Sequence, residues 1–514
     1  MKKVFYYLGA ICIFPVWTFS SFVSDNLSEL IQWPPLLVMC AATVGFGCVV
    51  FLMLLPLVSA QSRPRLAAAI SVALSAIYMM NLFRVVLREA DLYSHMTLFV
   101  VSVTATAAAT ALAFVLINSI GRLKAFILVG CIMAGIAMAP IVFHFAKLGG
   151  AMQSNPSIVA TTENANGGML PNVYFIIIDA YAREDALNKY AGMDNSEFIG
   201  QLNSLGFQTL THARSNYMKT HMSIPSTFAM DYLFLPGETK VQRWNDIWNM
   251  MKGDNAVVRK FRQLGYRYVF AGGAQWCSSR TDGCIKPTGI WSRATWQLAH
   301  NTPIPGMLSY VFPGLYRTIF SEQWRFDIAD VTAQIGNIIR STPRKPLFFL
   351  YHEMAVHDSI YNSDCTLRHD LGAEQIDKID DAERMSASTR AYSETIDCVN
   401  SKLKALLDRL LDYDPDALVV LTSDHGSAFS PHGKIETGAS AWTGPEYVDE
   451  RTAILSSWRL PINCKNDLPN DLSLVNNFRL IFSCITGHRS EMLPNRFFAH
   501  DYAPSLEVLE VIPQ

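Results

Sequence analysis

In the stretch "LTSDHGSAFSPHGK", Leu421 to Lys434, an apolar run gives way to an adjacent Asp and His, Asp424 and His425, and then to a second His, His432, and a Lys, Lys434. A carboxylate and an imidazole delivered together from the end of a strand are ligands for a divalent cation. An imidazole and an ammonium a few residues further on suit a substrate anion. Most Asp-His pairs simply lie in polar loops, so this one carries chemistry only if it has partners elsewhere. Two other apolar runs supply them: "NVYFIIID" stops at Asp179, and "KPLFFLYHEM" carries His352 near its end, with His357 following in "AVHDSIY".

Asp179, Asp424 and His425 together offer two oxygen donors and one nitrogen donor. A cation so held keeps a position for a hydroxyl nucleophile and a substrate oxygen, lowers the pKa of that hydroxyl, and offsets charge on a transferring phosphoryl or sulfuryl group. The hydroxyl candidates lie in "NYMKTHMSIPSTFAM", Asn216 to Met230, which packs Thr220, Ser223, Ser226 and Thr227 around Pro225, a proline suited to the first turn of a helix. Any one of these hydroxyls could instead be a helix cap. A helix start also presents free N–H groups to an anion, so the two roles are compatible. His352 and His357 can donate hydrogen bonds to non-bridging oxygens or protonate a leaving alkoxide.

The elements that must position these residues read as alternating strands and helices. "NVYFIIID" is a β-branched and aromatic run of strand length, "SEFIGQLNSLGF" an amphipathic helix, and "QTLTHARSNY" an extended segment. "NAVVRKFRQLGYRYVFAGG" reads as a helix, a Gly turn and a strand; "KPLFFLYHEM" is another buried strand; Ser386 to Leu411 has helical spacing; "DALVVLTSDHG" closes the series as a strand. The pattern predicts an α/β domain with a mostly parallel sheet covered by helices on both faces. Ligand sites in such sheets lie beyond the carboxyl ends of the strands, where Asp179, His352 and the Asp424-His425 pair all fall.

The 514-residue chain is 50% apolar with only 17% charge, too greasy for an ordinary soluble protein. The surplus sits in five uncharged stretches, 4–23, 35–60, 66–83, 96–120 and 125–145, each about 18 to 26 residues and so long enough to cross a bilayer as a helix. Lys2, Lys3, Arg63, Arg65, Arg122 and Lys124 place the amino terminus inside by the positive-inside rule, although the third loop is mixed. Five spans then put everything after Lys147 outside. No small-residue cleavage site precedes the acidic first loop, so the first span reads as an anchor and not a removed signal peptide. Residues 148–170 are polar and Gly/Asn/Ser-rich, a linker, which leaves 171–514 as the outside domain. Its six cysteines, Cys277, Cys284, Cys365, Cys398, Cys464 and Cys484, form an even set that can make three disulfides in an oxidising compartment. The short "CSSRTDGC" loop makes Cys277–Cys284 the expected pair, and the other pairings stay open. Net charge is −2, with no basic stripe, so a nucleic-acid role has no support.

The order "IIIDAYAR", a Thr/Ser-rich segment, "HEMAVH", then "SDHG" with "HGK" after it, resembles the sulfatase-like branch of the alkaline phosphatase superfamily. Spans followed by such a domain resemble lipoteichoic acid synthase and the lipid A phosphoethanolamine transferases. By that resemblance Asp179, Asp424 and His425 would be metal ligands together with Thr220, the covalent nucleophile, with Ser223 as runner-up; His352 and His357 would serve catalysis, and His432 and Lys434 would contact substrate. "YVDERTAILSSWRLP" and "VNNFRLIF" look like the carboxyl-terminal strand and helix of related membrane proteins. The chain departs from true sulfatases in having "SIPST", with Ser223 in first place and Thr227 where an Arg belongs, which argues against formylglycine chemistry. Asp179 is followed by Ala180 in place of a second Asp, which points to a single metal.

The resemblance implies a divalent metal, Zn2+ or Mn2+ ahead of Ca2+ or Mg2+. It also implies a membrane-bound phosphotransferase that moves a phosphoethanolamine- or phosphoglycerol-type headgroup from a membrane phospholipid donor to an envelope glycan or lipid acceptor. The expected place is the bacterial cytoplasmic (inner) membrane, with the carboxyl-terminal domain periplasmic. A phosphate or sulfate ester hydrolase using the same site, and a catalytically degenerate binding domain, are the alternatives.

Overall fold

The computed structural model describes residues 2–25, 33–78, 95–151, 170–239, 244–272, 276–278, 280–285, 298–299, 302, 305, 308, 311–312, 315–316, 327–340, 345–366, 368, 381–430, 443–462, 464, 468–500 and 507–513. The chain divides into two compact units, Met1–Ser157 with Thr288–Arg325, and Ile158–Pro287 with Phe326–Gln514.

The first unit holds helices Lys2–Asp25, Trp33–Leu54, Arg63–Ile77, His95–Leu116 and Ile120–Ala151. Four of these contain stretches long and apolar enough to cross a membrane: Lys3–Ser24, Leu36–Leu57, Thr97–Leu116 and Ile120–Phe143. The five expected spans are therefore four among the described residues. The predicted 66–83 span corresponds to Arg63–Ile77, 15 residues, which at about 1.5 Å per residue falls short of a hydrocarbon core of about 30 Å; 79–83 lie outside the described residues. Small residues set the helix packing. A Cβ on Gly130 would stand 2.8 Å from Ile13, and one on Gly47 would stand 2.5 Å from Leu74, so neither position accepts a larger side chain without moving a neighbour. Phe46 and Phe143 point outward, 64% and 73% exposed.

The second unit is built on a seven-stranded sheet. Its strands are β1 (Val173–Ile178), β2 (Gln208–Thr209), β5 (Arg267–Gly272), β6 (Gly283–Ile285), β7 (Leu347–Glu353), β8 (Leu418–Thr422) and β9 (Ser456–Arg459), with the hairpin β3 (Phe234–Leu235) and β4 (Glu238–Thr239) forming a separate pair. The order is β2-β9-β8-β1-β7-β5-β6. The five strands from β8 to β6 run parallel, and β9 and β2 are antiparallel at one edge. All six residues of β1 are buried because both faces are covered. Val173, Phe175 and Ile177 enter one core with Phe228, Phe261 and Phe478. Tyr174, Ile176 and Ile178 enter the other with Val331, Ile396 and Leu403. The unbroken apolar run follows from that alternation, since a strand covered on one face only would read as every second residue. On the first face lie the helices Thr220–Ala229, Ala256–Gln263 and Leu474–Thr486; on the second lie Ser196–Ser204, Ile328–Arg340 and Asp381–Tyr413.

The register levels three strand ends. Ile177 of β1 pairs with His352 of β7 on one side and with Thr422 of β8 on the other. Asp179, His352 and Asp424 therefore emerge side by side from the middle of the sheet. The six outside cysteines are paired as Cys277–Cys284, Cys365–Cys398 and Cys464–Cys484, which resolves the two pairings that the sequence left open.

Candidate active site

Asp179 follows β1 directly, and its backbone N–H donates to the Glu353 carbonyl at 2.8 Å, so the strand pairing continues into the site. The next residue turns sharply. Ala180 has φ 62°, a left-handed conformation that costs an L residue about 1–2 kcal/mol. It is held there from several sides. Its N–H donates to Asp424 Oδ1 at 3.3 Å, its carbonyl accepts the Tyr392 hydroxyl at 2.7 Å, and the N–H groups of Tyr181 and Ala182 donate to Ser423 Oγ and Tyr392 Oη. Strain fixed in this way is characteristic of functional sites.

Asp424 and His425 leave β8 into a loop held by buried polar groups. The His425 Nδ1 lies 3.0 Å from the Gly426 carbonyl, an acceptor, so Nδ1 carries the proton and Nε2 presents its lone pair. Gly426 has no alternative: a Cβ there would stand 2.1 Å from the Glu450 carbonyl oxygen. Arg451, itself buried, donates through Nη1 to the Gly426 carbonyl at 2.7 Å and through Nη2 to the Met218 carbonyl. It thus ties the Asp-His loop to the segment entering the Thr220 helix. The Ser215 hydroxyl sits 2.6 Å from the Asp424 carbonyl and makes a second tie.

Thr220 is the first residue of the helix Thr220–Ala229, after Lys219 in extended backbone. Pro225 lies in the second turn, not the first; the helix starts further back because the chain is already pinned through Ser215 and Met218. The Thr220 Oγ1 donates to Asp179 Oδ2 at 3.2 Å and lies 3.3 Å from His425 Nε2. Ser223 is buried and donates to the Asp424 carbonyl at 2.8 Å. Thr227, also buried, donates to the Ser223 carbonyl at 2.8 Å, an intrahelical bond.

His352 Nε2 lies 3.1 Å from Asp179 Oδ2, and its ring is stacked on Trp276 at 4.3 Å between centroids. His357 is the open side of the cluster, its side chain 46% exposed and its Nδ1 2.8 Å from Asp358. Its ring centroid is 6.2 Å from that of His425. His432 and Lys434 lie outside the described residues.

The donor set fits a divalent cation. The ligand atoms of Asp179, His352 and Asp424 lie within 4.8 Å of one another, as do those of Asp179, His357 and His425. Asp179 Oδ1 and Asp424 Oδ2 are buried and accept no hydrogen bond among the described residues. His425 Nε2 stands 3.4 Å from the first and 3.6 Å from the second. A lone pair facing two carboxylate oxygens lacks a positive charge between them, and burial of such oxygens is costly unless a cation compensates. Electrostatics agree with this. Burial alone would raise the Asp179 carboxyl, but the hydrogen bond from His352 and the surrounding imidazoles of His425, His352 and His357 hold it below the usual carboxylate range. Burial, with Arg451 nearby, pushes His425 down and keeps its imidazole neutral. The hydrogen bond to Asp358 pushes His357 up to about 9 against the effect of burial.

The sulfatase family matches residues 171–449, more than half of the chain, and the chain belongs to that family. Its class is that of enzymes acting on phosphate or sulfate esters. In structure the chain is similar to the C-terminal periplasmic domain of EcEptC from Escherichia coli in complex with Zn, at 12% identity and a TM-score of 0.42, over 68% of this chain and 95% of that one. It is also similar to the integral membrane protein lipooligosaccharide phosphoethanolamine transferase A from Neisseria meningitidis, at 11% identity and a TM-score of 0.38, over 93% of this chain and 95% of that one. A protein in the alkaline phosphatase superfamily from Vibrio parahaemolyticus is a third, at 10% identity and a TM-score of 0.39, over 68% and 78%. No curated protein matches the chain.

Sequence reasoning missed Glu450, Arg451, Tyr392, Ser215, Ser423 and Trp276, which hold the site residues in place. Two adjacent opposite charges in "VDERTAIL", just before the apolar residues Ala453–Leu455, were the available signal for the first two.

Proposed function

We propose that this chain is a membrane-bound, metal-dependent phosphotransferase. It takes a headgroup of phosphoethanolamine or phosphoglycerol type from a membrane phospholipid, holds it on Thr220, and passes it to an envelope glycan or lipid. Its place is the bacterial cytoplasmic membrane, amino terminus inside, with the domain that follows the 148–170 linker on the periplasmic face. The observation that carries this reading is the Thr220 hydroxyl at a helix amino terminus, 3.2 Å from Asp179 and 3.3 Å from His425. Ser223, the other candidate, spends its hydroxyl on the Asp424 carbonyl.

Asp179, Asp424, His425 and Thr220 would hold the cation, with Zn2+ or Mn2+ favoured by the imidazole ligand. When bound, it supplies charge that lowers the pKa of the hydroxyl and offsets the phosphoryl oxygens. Thr220 Oγ1, oriented by its hydrogen bond to Asp179 Oδ2, gives its proton to solvent and attacks phosphorus. The new P–O bond forms as the bond from phosphorus to the diacylglycerol oxygen breaks, and His357 protonates that leaving alkoxide from the open side of the site. In the second half an acceptor hydroxyl attacks the same phosphorus and gives its proton to His357, while Thr220 leaves and recovers its proton from solvent. The positive end of the helix dipole at Thr220 favours the anion throughout. His432 and Lys434 are assigned to the substrate anion on the sequence alone.

The test is peptide mass spectrometry across Asn216–Met230 on metal-loaded protein incubated with membrane phospholipids. A headgroup-sized increment on Thr220, absent from Thr220→Ala, is expected, and its size names the headgroup. An increment on Ser223 would move the nucleophile. Steady release of the headgroup phosphate to water without an acceptor would make the enzyme a hydrolase.

A further inference from the structure

Of the imidazoles around the site His357 is the least enclosed, its side chain 46% exposed against 6% for His352 and 3% for His425. A ring so open turns freely between rotamers unless a partner holds it. The next residue in the chain is that partner. Asp358 Oδ1 lies 2.8 Å from His357 Nδ1, and because a carboxylate only accepts, Nδ1 carries the proton. A nitrogen of the same ring lies within 4.8 Å of ligand atoms of Asp179 and His425. With Nδ1 turned to Asp358, the nitrogen left for a substrate is Nε2.

The backbone beneath this pair is fixed at both ends. The short helix Ala355–Asp358 starts on the Glu353 carboxylate, which accepts the Ala355 N–H at 2.8 Å. It stops at Ser359, whose φ of 49° is left-handed, a conformation that an L residue adopts only at a cost. Tyr361 follows, buried, its N–H donating to Thr395 Oγ1 at 3.1 Å and its carbonyl accepting from the same hydroxyl at 2.9 Å. The Cys365–Cys398 disulfide then joins the same two segments. Strain held from both sides is what functional turns carry. The Asp358 side chain is itself 53% exposed, and exposed ion pairs contribute little to stability. The bracing therefore serves the direction of the ring more than the strength of the fold.

We infer that Asp358 is a positioning residue for acid–base catalysis, its carboxylate holding the His357 ring so that Nε2 faces the leaving and attacking oxygens of the transferred phosphoryl group. This rests on the phosphotransferase reading above. In the first half the Nε2 proton passes to the diacylglycerol oxygen as its bond to phosphorus breaks. In the second, the Nε2 lone pair takes the proton of the acceptor hydroxyl as that oxygen bonds to phosphorus. The Nδ1 proton stays on the hydrogen bond to Asp358 in both. The carboxylate neither gains nor loses a proton; it fixes the tautomer in which Nε2 makes the exchange.

The experiment compares two donors that share a headgroup, phosphoethanolamine or, in parallel, phosphoglycerol: the phospholipid, whose alkoxide needs a proton to leave, and the p-nitrophenyl ester, whose phenolate leaves without one. Single-turnover formation of the Thr220 adduct is followed by peptide mass spectrometry in the metal-loaded full chain, in Asp358→Ala, in His357→Ala and in the double variant. Asp358→Ala should slow the phospholipid roughly 10- to 100-fold and the nitrophenyl donor less than about threefold, and the double variant should be no slower than His357→Ala. Phospholipid transfer at the native rate in Asp358→Ala, equal slowing of both donors, or losses that multiply in the double variant would overturn the inference, while an adduct in the native chain keeps the phosphotransferase. No adduct in the native chain from any of these donors would remove both.

Discussion

The buried carboxylate of Glu450 accepts both the backbone N–H and the hydroxyl of Ser430, at 2.7 and 2.5 Å. Its other oxygen accepts the Ser427 hydroxyl at 2.5 Å and the Phe429 N–H at 2.8 Å. One side chain thus shapes the backbone leaving His425. Glu450→Ala strands four donors in a buried loop, and the expected loss of stability is on the order of 3 kcal/mol. Unfolding midpoints of the detergent-solubilised chain measure it, and Glu450→Gln, which keeps shape and part of the acceptor capacity, should recover some of the loss. A midpoint unchanged in Glu450→Ala would contradict the structural role.

Asp424→Asn separates metal binding from folding by sign. Without metal, Asp424 Oδ2 is buried and accepts no hydrogen bond among the described residues, so neutralising it should leave the metal-free protein at least as stable as the native chain. With Zn2+ or Mn2+ present the native chain should gain stability, by linkage, and the variant should not. Metal content after dialysis should fall to background in the variant, and phosphotransfer should stop. A variant that retains both ion and turnover would exclude Asp424 as a ligand.

Much of this site was legible because its residues sit where local pattern changes type. Asp179, His352 and Asp424 each stand at the end of an apolar run, and the parallel register that levels them follows from strands buried on both faces. The supporting residues were not legible, since nothing local distinguishes Tyr392, one residue in the long helix Asp381–Tyr413, from any other aromatic on a buried helical face. Its hydroxyl reaches Ala180 only once the helix is laid across the sheet. The same holds for Trp276, which lies between β5 and β6, and His352 of β7. The predicted 66–83 span is described only in part, as a 15-residue helix with 79–83 outside the described residues.

Thr220 and Ser223 should respond to substitution in opposite ways. Ser223 is buried against the Asp424 carbonyl and Ser215, so Ser223→Ala removes a hydroxyl from a packed polar cluster and should cost about 1–2 kcal/mol. The covalent adduct on Thr220 should persist in that variant. Thr220→Ala should leave the unfolding midpoint close to native and abolish the adduct, while Thr220→Ser restores some turnover. Loss of the adduct in Ser223→Ala at native stability would reverse the assignment.

Glu353 gives the fold a pH dependence. Burial pushes its carboxyl from the ordinary 4.5 up to about 7, against hydrogen bonds from Tyr351 and the Ala355 N–H. Its folded pKa exceeds the unfolded one, so the unfolded chain loses its proton first as pH rises. The contribution to stability is full below about pH 4.5, declines through the interval to pH 7, and is gone above it, a change on the order of 3 kcal/mol. Glu353→Gln keeps an acceptor for Ala355 and a polar partner for Tyr351 but does not titrate. Denaturant midpoints measured from pH 5 to pH 8 should therefore fall for the native chain and show a shallower slope for the variant. Parallel profiles for the two proteins would show that Glu353 ionises no less readily in the folded chain than in the unfolded one.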